Sequence, residues 1–146
     1  MKKHLFCVLL AMSFLLCVSS CNKKESTRSS RFADSERLSS VLGVELPEYT
    51  LLSDTLVWEN WMGDCECRMV IEFNRPLTQS FYASLDSVSA VDSMFWSKTV
   101  DGSYWFSRAW GNAYPAPPGE DPEMDLFVQL KIPLEARTLE VVYGAW

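Results

Sequence analysis

The sequence predicts an α+β fold: a two-layer sandwich in which a mostly antiparallel sheet of four to six strands carries two helices on one face. Several segments, most clearly residues 65–73, alternate apolar and polar side chains as half-buried strands do. Two other segments place apolar residues at helical spacing. The connections between the expected strands are short, which favours antiparallel neighbours.

A short helix is expected to open the folded body. Asp34 or Ser35 can cap its first turn, because a short polar side chain accepts hydrogen bonds from the free amides there. Gly43 can end it, since glycine adopts the left-handed conformation common after helices. Its apolar residues recur at helical spacing and are expected to pack on the sheet; they are Leu38, Val41 and Leu42.

Two strands are expected next, joined by a turn around Gly63. Pro47 forces an extended chain, and residues 49–58 are then rich in β-branched and aromatic residues. Residues 65–73 form the second strand, with one face in the core and the other mostly in water. The expected core face consists of Cys65, Cys67, Met69, Ile71 and Phe73.

A second helix and a hairpin follow. Thr78 can cap the helix, in which Phe81, Leu85 and Val88 recur at i, i+4 and i+7. Asp101-Gly102 then separates two β-prone runs and predicts a two-residue turn. The first run, 94–100, is the weaker strand, because Trp96 could instead be a core residue just after the helix.

A long loop and two strands complete the body. Four prolines between residues 111 and 123 exclude regular structure, and the acidic residues among them, including Glu120, are expected to keep the loop in water. A loop of this length is more often functional than a short one. Residues 124–132 and 138–143 then alternate again as strands.

The first 21 residues have the layout of a secretory signal: a basic start, an almost unbroken apolar run from Leu5 to Val18, and small residues before Cys21. The run is shorter than the about 20 apolar residues of a transmembrane helix. The four residues that end at Cys21, Val-Ser-Ser-Cys, resemble the lipobox of bacterial lipoproteins. This resemblance implies cleavage before Cys21 and attachment of diacylglycerol to its thiol. An ordinary signal would leave a spare thiol there and more often ends in an Ala-x-Ala-like site.

The chain therefore divides into a signal peptide (1–20), a flexible tether (21–31) and a single globular α+β domain (32–146). The tether is rich in Ser, Lys, Thr and Arg, which favours a solvated spacer. Asn22 stands where some lipoproteins carry the aspartate that retains them in the inner membrane. The resemblance thus implies an envelope protein held in the outer membrane by acyl chains such as palmitate, in either leaflet.

Charge and histidine content exclude several functions. Lys2 and Lys3 leave with the signal, so the 13 basic residues fall to 11 against 19 acidic ones and the net charge becomes −8. An acidic body argues against nucleic acid as a partner. The single histidine, His4, also lies in the signal. The mature protein therefore has no Ser-His-Asp or Cys-His catalysis and no histidine metal site.

Two cysteines remain in the body, Cys65 and Cys67, and they could be free, bridged or metal-bound. Two thiolates without histidine do not complete a zinc shell. Positions i and i+2 of a strand lie about 6.6–6.8 Å apart, near the upper limit for a disulfide. Two small buried side chains are the preferred interpretation.

Acidic residues near position 120 are weak metal candidates. Asp121, Glu123 and Asp125, with Glu120, could gather calcium through carboxylate oxygens. The EF-hand pattern fails, because Leu126 occupies the position of its glycine. We therefore expect a solvated acidic loop, with no metal site and no cofactor.

Aromatic residues are the candidate binding groups. Flat rings form cores, but they also form platforms for sugars and peptides. Trp61 in a turn and Trp110 beside the proline-rich loop are expected to be the exposed pair. The candidate binding residues are Trp61, Trp105, Trp110, Tyr114 and Phe127.

The expected function is a non-enzymatic, lipid-anchored binding or accessory module with an unidentified protein or glycan ligand. One alternative is a small envelope hydrolase, which needs two carboxylates at a defined separation across a cleft. Its candidates are Asp64, Glu66, Glu120, Asp121 and Asp125. Another alternative is an inhibitory or neutralising lipoprotein, whose acidic body would bind a basic partner.

Overall fold

The computed structural model describes residues 31–111 and 114–146. Within them the chain runs helix, strand, strand, helix and then four strands, so the predicted α+β class and element order are confirmed. The signal peptide, Cys21 and the tether up to residue 30 lie outside the described residues. The elements are α1 (Ser35–Leu42), β1 (Tyr49–Glu59), β2 (Cys65–Phe73), α2 (Gln79–Val91), β3 (Trp96–Lys98), β4 (Tyr104–Trp110), β5 (Leu126–Ile132) and β6 (Thr138–Ala145).

The six strands of this part of the chain form one open sheet in the order β1-β2-β6-β5-β4-β3, and every neighbouring pair is antiparallel. The chain builds the hairpin of β1 and β2, crosses through α2 to the far edge at β3, and returns strand by strand until β6 lies beside β2. Both helices bury side chains in one core with the same sheet face. The opposite sheet face, called the open face below, carries neither helix.

Both helices begin at the predicted caps. The Asp34 side chain accepts a hydrogen bond from the Glu36 N–H group at 2.9 Å, and Gly43 ends α1 with a φ of 68°. Thr78 accepts from the Phe81 N–H group at 3.2 Å at the start of α2. Two capping side chains and the left-handed backbone of Gly43 therefore set three of the four helix ends, as the sequence predicts.

Trp96 is both a strand residue and a core residue. It opens β3 and is almost completely buried, and its indole N–H donates to the Leu42 carbonyl at 2.9 Å, which ties the far edge of the sheet to α1. The hairpin turn is one residue longer than predicted. The Thr99 N–H donates to the Ser103 carbonyl, and the Asp101 carboxylate accepts from the Ser103 N–H at 3.1 Å, so residues 100–102 form the loop.

The proline-rich loop is attached to α1. The Ser40 hydroxyl donates to the Pro118 carbonyl at 2.7 Å. Glu120 is only 8% exposed and accepts from Arg31 at 2.8 Å and from Arg37 at 3.1 Å. Burial by itself raises the pKa of Glu120, but hydrogen bonds from the two arginines outweigh it and lower the pKa below the ordinary value. The expectation that Glu120 keeps this loop in water is therefore wrong.

Candidate functional site: an apolar edge strand and an aromatic sheet end

The structure separates the five predicted binding residues into exposed and buried ones. Trp61 is 92% exposed, and Tyr114 and Trp105 are also exposed. Trp110 is 1% exposed, so the expectation that it is an exposed binding residue is wrong. Alternation along β4 explains this: Trp110 lies on the same side as Tyr104 and Phe106, and all three are buried. The even spacing of these three aromatic residues was the sequence signal for it.

Phe127 lies on the open face but is covered by Trp146, a residue that sequence reasoning missed. The two rings stack at 4.5 Å with an interplanar angle of 13°. Gly144 lies opposite Phe127 in the register, and a Cβ there would stand only 2.7 Å from the Phe127 ring. Glycine thus makes room for the stack. Trp146 was not among the candidate binding residues, because it follows the expected end of the last strand.

Strand register brings three separate segments to one end of the sheet. Glu59 is paired with Cys65, Cys65 with Ala145, and Ala145 with Leu126. The β1–β2 turn, the segment before β5 and the chain end after β6 therefore meet there. Six large side chains at this end are 41–92% exposed, and we call them the aromatic end. They are Trp58, Trp61, Met62, Tyr114, Met124 and Trp146.

The turn that carries Trp61 and Met62 is held by one asparagine. The Asn60 side-chain oxygen accepts from the N–H groups of Met62 at 2.9 Å and Asp64 at 3.0 Å. Its amide nitrogen donates to the Asp64 carboxylate at 2.7 Å. These bonds satisfy the turn internally, so the side chains of Trp61 and Met62 project into solvent without contributing to its closure.

The edge strand β1 is the second unusual surface. Among residues 31–111 and 114–146 it pairs only with β2, and the register shifts at Leu52 and Val57. Its large apolar residues are 37–52% exposed, and we call them the apolar edge: Leu51, Leu52, Leu56, Val57 and Trp58. Their consecutive pairs, Leu51-Leu52 and Leu56-Val57, break the alternation of a half-buried strand. That break was the sequence signal for this surface.

A partly buried polar cluster lies behind the apolar edge. The Tyr143 hydroxyl donates to the Asp54 carboxylate at 2.9 Å, and the Tyr143 ring packs edge-on against Phe32 at 5.2 Å. Burial raises the pKa of Tyr143, and the hydrogen bond to Asp54 raises it further. Burial also raises the pKa of Asp54. This cluster joins β1, β6 and the segment before α1.

Cys65 and Cys67 lie buried on the core face of β2, as expected for small apolar side chains, and both are free thiols. Burial raises the pKa of the Cys67 thiol, and the neighbouring Cys65 adds to the effect. A raised pKa favours the neutral thiol, whereas nucleophilic attack and metal binding both need the thiolate.

The predicted carboxylates do not gather at one place. Glu66 lies on the open face, whereas Glu120 lies against α1 on the helix side. Asp121 accepts from the Glu123 N–H at 2.9 Å and so closes a local turn. In the part of the chain that the structure describes, no three His, Cys, Asp or Glu side chains form a group able to hold a metal ion. A shallow depression of about 570 Å³ beside α1 is lined by none of the predicted site residues.

Within the described ranges, neither helix has the length and apolar character required to cross a membrane. The chain matches no protein-family model, no curated protein and no solved structure. Its function is therefore inferred from its own residues and their arrangement.

Proposed function

We propose that this protein is a lipid-anchored lipoprotein of the bacterial cell envelope, held in the outer membrane through Cys21. We further propose that it acts without catalysis, as a module that binds an extended segment of another envelope protein. The lipobox-like sequence supports the anchor. The apolar edge supports the binding role and is the observation on which that role depends.

An exposed apolar edge strand can bind a partner, but it can also pair with unwanted chains. Edge strands offer a row of N–H and C=O groups, and soluble proteins usually protect them with charges or bulges. β1 has bulges at Leu52 and Val57, yet it still exposes five large apolar side chains. Exposed apolar surface of this kind marks interaction sites. A partner strand would pair along residues 53–56, and its side chains would cover the flanking leucines.

Charge favours a partner other than a second copy of this chain. The charged residues of β1 are Asp54 and Glu59, both acidic, and the body as a whole is acidic. Antiparallel pairing of two β1 strands about their centre would place one Asp54 beside the other, and like charges directly opposite each other destabilise a sheet. A partner segment that combines apolar residues with lysine or arginine fits better.

We expect a photo-crosslinking amino acid at Leu52 to capture one dominant protein in living cells. The matched control is Leu134, which lies in the loop after β5 and is 53% exposed against 52% for Leu52. The binding role predicts an adduct at Leu52 and at most a trace of it at Leu134, read by gel shift and mass spectrometry. Equal capture at both positions, or none at Leu52, would contradict the role of β1.

A further inference from the structure

We propose that the aromatic end of the sheet rests on the lipid bilayer, so that the folded body as well as the acyl anchor contacts the membrane. This inference rests on the proposed anchor at Cys21. It assigns the β1–β2 turn and the chain end after β6 to the bilayer. The part of the apolar edge from Leu51 to Val57 then rises away from the membrane surface and stays accessible to a protein partner.

The first support is the chemistry of the exposed side chains. Tryptophan and tyrosine concentrate at membrane–water interfaces, because their rings are apolar and their N–H or O–H groups are polar. The aromatic end exposes Trp58, Trp61, Tyr114 and Trp146 together with two methionines. Three chain segments contribute them, and the Asn60 hydrogen bonds hold the Trp61 turn in place.

The second support is the place where the chain enters the body. Arg31, the first described residue, lies with Nη1 3.7 Å from the Met124 sulfur and with Nη2 2.8 Å from Glu120. The next residue, Phe32, packs against Tyr143, which lies two register pairs inside Ala145, and the Phe32 carbonyl accepts from the Tyr49 hydroxyl at 2.9 Å. The Arg31 side chain therefore lies beside Met124 of the aromatic end.

Chain length makes this end the nearest one to the anchor. Ten residue steps separate Cys21 from Arg31 and span at most about 35 Å when fully extended. A random coil of that length spans about 17 Å. The eleven residues of β1 run about 36 Å from one end of the sheet to the other. Phe32 packs on Tyr143, whose partner Cys67 lies six residues, or about 20 Å, from Phe73 at the opposite end. Turning the opposite end to the bilayer would therefore require a segment longer than the random coil.

The opposite end has a different surface. Trp105 is the exposed aromatic residue on that side among those described, and its register partner is Lys131. Lys131 forms an ion pair at 2.8 Å with Asp101, which lies in the loop of the β3–β4 hairpin. Both side chains are half-exposed. Ala109 of β4 pairs with Phe127, next to the aromatic end. Trp105 lies four residues from Ala109, or about 13 Å along the strand. It therefore serves as a control.

Charge determines how the contact is made. Glu59, Asp64 and Glu123 lie among the aromatic residues, so the body does not attract anionic headgroups at this end. The contact is therefore made by insertion of the aromatic rings into the bilayer and not by electrostatic attraction.

The test is tryptophan quenching in the lipidated, full mature protein, reconstituted in phosphatidylcholine vesicles with brominated acyl chains. We expect quenching of the wild-type protein, and a loss of more than half of it in a variant that combines Trp61→Phe with Trp146→Phe. Phenylalanine at position 146 preserves a ring to stack on Phe127, so the fold is retained. Trp105→Phe is expected to leave the quenching unchanged.

Flotation of the same samples separates the two proposals. Protein that floats with the vesicles, but whose quenching is equal in the double variant and the wild type, overturns the orientation and leaves the anchor intact. Equal losses in the double variant and in Trp105→Phe overturn it as well. Protein that does not float overturns the anchor, and this inference with it.

Discussion

Replacing Gly144 with alanine is expected to lower the free energy of unfolding by about 3 kcal/mol or more. The added Cβ would stand 1.9 Å from the Cys65 carbonyl oxygen and 2.7 Å from the Phe127 ring. The carbonyl belongs to the backbone where β2 and β6 pair, so it cannot rotate away as a side chain can. The two strands must separate, or the Phe127–Trp146 stack must open.

Gly63→Ala is the control for the Gly144 prediction. Gly63 has a φ of 98°, but a Cβ there would meet no atom within 4 Å. Its substitution is expected to cost only about 1–2 kcal/mol of backbone strain. Urea denaturation of both variants measures the difference. A loss at Gly144 no larger than the loss at Gly63 would show that the close approach of β2 and β6 is wrong.

Replacing Glu120 with glutamine is expected to cost about 2–3 kcal/mol at neutral pH, because the charge that neutralises two arginines is lost. The Glu120 side chain is 1% exposed, and Arg31 and Arg37 are 19% and 37% exposed. The partly exposed arginines can recover some hydration, so we place the cost below that of a fully buried pair. Glu123→Gln, on the exposed part of the same loop, is expected to change stability by less than about 0.5 kcal/mol.

Glu120 also predicts a pH dependence. Its pKa is lowered in the folded state, so its stabilising contribution is fully present above the ordinary value of 4.5 and is lost as the pH falls through the lowered pKa. The stabilities of the wild-type protein and Glu120→Gln should therefore converge in acid, when Glu120 becomes neutral too. A constant difference between pH 7 and strongly acidic solution would contradict this role of the arginine pair.

Most of the fold follows from local patterns in the sequence. Asp34, Thr78 and Gly43 carry side-chain or backbone chemistry that fixes helix ends without help from the rest of the chain. Strand β2 alternates strictly because it lies inside the sheet with one face in the core. The hairpin loop after β3 was harder to predict, because the Asp101 carboxylate bonds to Ser103 and Lys131 and so stabilises a longer loop.

The candidate site was less predictable because it depends on strand order. The sequence marks 49–58 as a strand, but only the position of β1 at the sheet edge makes its leucines exposed. The sequence alone places Trp61 in a turn. That Trp146, Met124 and the β1–β2 turn lie at the same end of the sheet follows only from the register of four strands. Glu120 looked like a solvated acid, because its two arginine partners lie more than 80 residues away in sequence.

The mass of the mature protein extracted from membranes tests the lipid anchor most directly. The anchor predicts a chain that begins at Cys21, with the added mass of a diacylglyceryl group on its thiol, and no such species from a Cys21→Ser variant. A protein that still begins at Met1, or that carries an unmodified Cys21, would contradict it.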